Sequence, residues 1–271
     1  MYYAMDEIGI ENAQIIKTIT SEPDRWRFIY DTAKTYGFDG IHFTPSLYRS
    51  FNLDLNNIPS YFRDFLLTFH FGGMPLNTES EYETFDRDFS NAFEIARKHK
   101  MQDISVHPPG AYNLTTMERD LTLKLLSRAV DKWLKLLMDN GISLSLETHV
   151  AGEWFVFSGL YEYGEFVDKY PELGVLIDIS HNYYNPQYSE DDIVNILGNR
   201  NVKGLHISDA LRSAEFEAGT HLPVGDGTIN FPKLLKGFEK FDNLYGALEI
   251  KSNNVGIEKS LKKLRNIKNE M

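Results

Sequence analysis

Eight short apolar runs recur along this chain, and the stretches between them carry helical periodicity. The runs are Tyr2–Asp6, Gly40–Thr44, Phe65–Phe71, Asp103–His107, Ser143–Thr148, Gly174–Ile179, Val202–Ile207 and Gly246–Ile250. Alternation of this kind is the pattern of repeated βα units with a parallel sheet. Sharing 271 residues among eight units allows about 34 each, enough for one strand, one helix and two loops. The expected fold is therefore α/β, a single (β/α)8 TIM barrel. No Ser-, Gly- or Pro-rich linker interrupts residues 1–271, so the expectation is one domain over that span. An open doubly wound sheet would call for a glycine fingerprint after an early strand, and neither GxGxxG nor GxxxxGK[ST] occurs.

Helix signals support the alternation. Ser80 and Glu83 read as a capping box ahead of Phe85, Phe89, Phe93 and Ala96. Thr115 and Glu118 repeat the device ahead of Leu121, Leu125, Ala129, Trp133 and Leu137, and Gly141 ends that helix. Trp26, Ile29 and Ala33 precede Gly37 in the same way. Asn230 with Pro232 reads as the start of another helix. The final helix sets Ile257, Leu261 and Leu264 against Lys259, Lys262, Lys263 and Arg265, which read as a solvated face.

Composition narrows the chemistry. There is no cysteine, so disulfides and thiolate metal sites are excluded and any metal must be held by His, Asp and Glu. Acids outnumber bases 39 to 28, a net charge of −11, which counts against nucleic acid as a partner and for small neutral or metal-bound molecules. The opening MYYAMDEIGIENAQ has no basic leader region, and no apolar run approaches the roughly 18 residues of a membrane span. The expectation is a cytoplasmic protein without a membrane partner.

In an α/β barrel the chemistry lies at the C-terminal ends of the strands. Six of the runs end there in a ligand-type side chain: His70, His107, Glu147, Asp178, His206 and Glu249. One buried imidazole or carboxylate is most simply a hydrogen-bonded core residue. Six at one rim are costly to bury unless paired or metal-bound, and they point to a metal site. Carboxylates and imidazoles without sulfur suit Mn, Mg, Co, Zn or Fe(II).

The strand-end motifs LETH, IDISH, LHISDALR and ALEIK, with HLPVGDGTINF between the last two, resemble the xylose isomerase-like barrel superfamily from about His70 to Lys251. The resemblance to its ketose 3-epimerase branch implies one divalent ion on Glu147, Asp178, His206 and Glu249. It implies that Glu147 and Glu249 move a proton at a sugar carbon, with His181 and Arg212 contacting substrate. Metal-dependent isomerisation or epimerisation of a carbohydrate is the activity so implied, and relatives of this kind are often homo-oligomers. Resemblance to the endonuclease-IV branch, which acts on abasic-site DNA, implies further metal ligands at His70, His107, His181 and His221. A ninth ligand there, an Asp two residues before His221, is replaced by Gly219. A related lyase, a dehydratase of cyclic keto acids, shares much of the metal set.

Smaller features carry their own expectations. His149 lies two residues beyond Glu147 and so faces the same cavity, where it is a candidate for substrate contact. His42 ends the second strand and is most simply a core histidine. His99 offsets the dipole at a helix C-terminus. Gly225–Gly227 could nest an anion such as a substrate phosphate. Trp154, Phe155 and Phe157 read as exposed aromatics forming a sugar platform, a lid or a subunit contact. There is no GxSxG and no cysteine nucleophile.

Overall fold

The structure is a computed structural model, and it describes residues 1–110, 115–149 and 155–271. Eight strands close into one parallel barrel: β1 (Tyr2–Met5), β2 (Gly40–Phe43), β3 (Leu66–Gly72), β4 (Asp103–Val106), β5 (Ser143–Thr148), β6 (Gly174–Asp178), β7 (Val202–Ile207) and β8 (Tyr245–Leu248). Each pairs with its sequence neighbours, and β1 pairs with β8 to complete the ring. The expected (β/α)8 barrel is thus observed. Almost every strand residue is buried, as a parallel sheet covered on both faces requires.

The ladders stop earlier than several apolar runs do. Thr44, His107 and Ile250 lie beyond the last paired residues, and Ile179 opens a helix instead of ending β6. Asp178 causes that switch: its Oδ1 caps the helix Ile179–Tyr184 by accepting from the His181 N–H at 2.8 Å.

The helices follow their caps. Thr115 and Glu118 form the expected capping box of the helix Thr116–Asp139. Asn230 caps Phe231–Phe238, and Gly37, at φ 77°, ends Glu22–Tyr36. One expectation is corrected. The helix Glu79–His99 is capped by Thr78, whose Oγ1 accepts from the Glu81 N–H, two residues ahead of the expected Ser80 and Glu83. Thr78 has the extended backbone a cap needs, whereas Ser80 already lies inside the first turn. His99 sits in the last turn of this helix, as expected.

Two apolar regions hold the molecule together. The large one lies between the outer face of the strands and the helices; the small one lies inside the barrel, where Ala4, Leu176, Tyr245 and Ala247 pack together. Below the barrel mouth the interior also holds a paired polar group. Asp103 accepts from Ser145 Oγ at 2.6 Å and from Tyr245 Oη at 2.9 Å, and burial pushes its carboxyl up to about 6. Gly204 makes room for this network, because a Cβ there would sit 2.3 Å from the Tyr245 ring. Among the described residues no helix is long and apolar enough to cross a membrane.

Gly204→Ala is expected to destabilise the barrel by roughly 1–3 kcal/mol, as overpacking of a filled interior does. Chemical denaturation checks this; an unchanged midpoint would contradict the tight contact with Tyr245.

Candidate metal centre

Each of the eight strands carries an acid or an imidazole within two residues of its C-terminal end. Asp6 and His42 join the six expected positions, and His42, His70, Glu147, Asp178 and His206 are all buried. Asp178 and His206 are direct register partners across β6 and β7. Glu249 extends the ladder by one residue, its N–H donating to the Ile207 carbonyl at 3.2 Å. Alternation along each strand turns these side chains inward together.

Glu147, Asp178, His206 and Glu249 offer ligand atoms that all lie within 4.8 Å of one another. His206 Nδ1 is 3.1 Å from Glu147 Oε1 and 3.1 Å from Glu249 Oε2, so the two glutamates flank it. A second group shares Glu147. His107 Nε2 lies 3.1 Å and His70 Nε2 3.6 Å from Glu147 Oε2, with 2.8 Å between the two imidazole nitrogens. His181 and His221 stand beside Asp178 and Glu249. His181 Nδ1 is 3.1 Å from Asp178 Oδ2, its Nε2 is 3.1 Å from His221 Nε2, and His221 Nδ1 is 3.8 Å from Glu249 Oε1. The eight residues named from the sequence therefore form one connected cluster.

Buried charge sets the electrostatics. Burial raises the Asp178 carboxyl, and Glu249 and Glu147 add to it, to about 7. Burial works against an ionised Glu147, but His206 and His107 outweigh it and hold that carboxyl well below its ordinary value. The same balance, led by His206, lowers Glu249. Burial also opposes a charge on His206, yet Glu147 and Glu249 drive it well above the usual imidazole value. His70 falls to about 3 through burial and its neighbour His107.

The donor set fits a divalent cation. Glu147 Oε2, Asp178 Oδ2 and His181 Nδ1 are buried without a well-aligned hydrogen bond, although Glu147 Oε2 lies 3.1 Å from His107 Nε2 and the other two are 3.1 Å apart. Buried polar atoms seldom remain unpaired, and carboxylate and imidazole atoms aimed at a common point are what an oxygen- and nitrogen-binding metal takes. His221 adds backbone strain, holding φ 55° at the site.

Other expected residues fall out as follows. His149 stands at the same rim, with ring centroids 5.0 Å from His107 and 4.9 Å from His181, and it stacks on Phe155 at 4.0 Å. Arg212 is held behind the site. Its Nε donates to the Tyr183 carbonyl at 2.6 Å, its Nη2 donates to the Tyr188 carbonyl, and its guanidinium lies 3.9 Å from the Tyr183 ring centroid. Phe157 is not an exposed aromatic: it is buried against Tyr163 and Phe166. Trp154 lies outside the described residues. The Gly225 N–H is already used within the chain: Asp209 accepts from the N–H groups of Ala210, Gly225 and Ile229 at 2.7–3.1 Å.

Asp6 was not counted among the ligand-type strand ends. It is 1 % exposed, and neither carboxylate oxygen has a hydrogen-bond partner. Burial and then Glu249 push its carboxyl well up. The signal was present, since Asp6 ends the first apolar run.

Comparison with known proteins adds the following. No curated protein sequence matches. Among solved structures, a D-tagatose 3-epimerase-like protein is similar over 100 % of this chain and 98 % of its own, at 18 % identity and a TM-score of 0.73. A probable 3-DHS dehydratase from Bacillus anthracis is similar over 98 % of this chain and 99 % of its own, at 15 % identity and a TM-score of 0.71. The IOLI protein, with a binding zinc atom, is similar over 100 % of this chain and 97 % of its own, at 13 % identity and a TM-score of 0.70. These identities carry fold alone. Residues 30–267 match the model of a family described as xylose isomerase-like TIM barrel, and the chain belongs to that family.

Proposed function

We propose that this chain is a divalent-metal-dependent isomerase or epimerase of a sugar or sugar phosphate. One observation carries the reading: Glu147, Asp178, His206 and Glu249 present ligand atoms within 4.8 Å of one another at the catalytic end of a barrel. These four residues would hold the ion. When bound, it would polarise a carbonyl or hydroxyl oxygen and so acidify the neighbouring C–H bond.

The protein's own part is proton transfer. Glu147 and Glu249 flank His206 Nδ1 at equal distances. Both carboxyls are held low, so each is an ionised base at neutral pH. One removes the proton from the substrate carbon, and the same or the opposite carboxyl returns it. His181 and His149 line the same rim and would meet substrate oxygens. For Arg212 to bind substrate it would have to leave the carbonyls of Tyr183 and Tyr188.

A phosphodiesterase acting on abasic-site DNA is the second reading, favoured by the His70–His107–Glu147 group. Gly219 weighs against its third metal. A Cβ at that position would sit 2.6 Å from the Leu211 carbonyl, so the missing aspartate has no room without a backbone shift. The net charge of −11 also repels a phosphate backbone.

Glu249→Gln is expected to lower kcat on a ketose and aldose panel by about 10²–10⁴, the size of an acid–base contribution, with far-UV dichroism unchanged. Full activity in this variant would remove the assignment. Elemental analysis of unsupplemented protein should find about one divalent ion per chain; three zinc ions with incision of abasic DNA would establish the second reading instead.

Metal uptake should also depend on pH. Asp178, raised to about 7, and His206, raised well above its usual value, hold protons that the ion must displace. Affinity is therefore expected to fall as pH drops from 8 to 6, by up to about tenfold per unit for each proton released. Calorimetric titration at three pH values checks it, and a flat profile would contradict it.

A further inference from the structure

His42 projects from β2 into the barrel with no exposure, and the ligand set proposed above leaves it without a role. Its Nε2 lies 3.1 Å from His206 Nε2, and its Nδ1 lies 2.7 Å from Thr68 Oγ1. The two rings meet edge-on, with centroids 5.2 Å apart and planes at 72°. Two ring nitrogens facing each other at that distance hold one proton between them.

The surroundings of His206 decide which ring carries it. Its Nδ1 faces Glu147 Oε1 and Glu249 Oε2, both at 3.1 Å. Nδ1 is therefore the nitrogen that would bind an ion shared with those carboxylates. An imidazole ligating through Nδ1 keeps its remaining proton on Nε2. That proton points at His42 Nε2, which must accept it. His42 then carries its own proton on Nδ1, where Thr68 Oγ1 accepts.

We propose that His42 is a positioning residue, accepting the Nε2–H of His206 and so fixing the tautomer and angle of that metal-binding ring. Ligating histidines commonly donate this second N–H to a carboxylate or a carbonyl. A neutral imidazole does the same here without adding another acid to a barrel end that already holds Asp6, Glu147, Asp178 and Glu249. His42, His70 and His206 also offer nitrogens within 4.8 Å. An ion among them, alongside one on the carboxylates, would strip His206 of both ring protons. His70 is moreover engaged through Nε2 with His107 and through Nδ1 with Ser105.

The inference rests on the metal reading, and the test separates the two. Zinc affinity is measured by chelator competition for wild type, His42→Leu and His42→Gln, with thermal unfolding of each metal-free form as the check on folding. Expected is a loss of about 10–100-fold for Leu, with most of it recovered by Gln, whose carboxamide oxygen is again an acceptor. In wild-type protein with 15N-labelled histidine, zinc-loaded, a through-hydrogen-bond coupling should join His206 Nε2 to His42 Nε2. This second measurement stands if the Leu variant fails to fold. Equal affinity of Leu and wild type, absence of the coupling, or zinc found directly on a His42 nitrogen would each overturn the inference. Wild-type protein that takes up no zinc would remove the metal reading and this inference together.

Discussion

Glu147, Asp178 and Glu249 bring three carboxylates to one end of a barrel, around the imidazole of His206 and with those of His107, His181 and His221 beside them. Like charges this close repel strongly where water is excluded, and each also pays for leaving water. The titration behaviour records the conflict. His206 is driven toward its charged form, and Asp178 is driven toward its neutral one. A divalent cation would relieve both at once, because it would set positive charge against all three carboxylates.

The surrounding structure holds this unfavourable grouping in place. Closure of the sheet leaves no edge along which a strand could slip. Asp178 is tied by its cap to His181 and by its own N–H to Thr148 Oγ1 at 3.0 Å. Asp209 gathers three backbone N–H groups and so anchors the segment that leads from β7 past His221 to Ile229. Deeper in the barrel, Asp103, Ser145 and Tyr245 satisfy one another, so that this buried carboxylate is not orphaned. Preorganisation of this kind would hold the proposed ligand atoms in position ahead of an ion or substrate.

Much of this was readable from the chain. The apolar runs located every strand, because a parallel strand buried on both faces must be apolar throughout. The residue at or one position before the close of each run located the six strand-end donors, because the end of the ladder is where inward side chains reach the mouth. The misreadings have local causes. Ser80 and Glu83 match the capping pattern, but Thr78 also lies before the same apolar stripe, and only backbone angles distinguish them. Phe157 was read as exposed from its loop position, yet it turns inward onto the helix Leu160–Val167. The Gly225 N–H is taken by Asp209, 16 positions earlier, a pairing that only the folded loop reveals.

Sequence alone determined the fold class, the absence of sulfur ligands and the strand ends that carry acids and imidazoles. These follow from local periodicity and residue type, which need no partner to be read. Only the tertiary structure decided which of those groups meet. His42 and His206 are separated by 164 positions, and Glu147 and His206 by 59. Their contact depends on the closure and stagger of the barrel, which bring strand ends to one height and point alternate side chains at one axis. The same closure left Glu147 Oε2 and Asp178 Oδ2 buried without a well-aligned hydrogen bond, a property of packing that no single segment encodes.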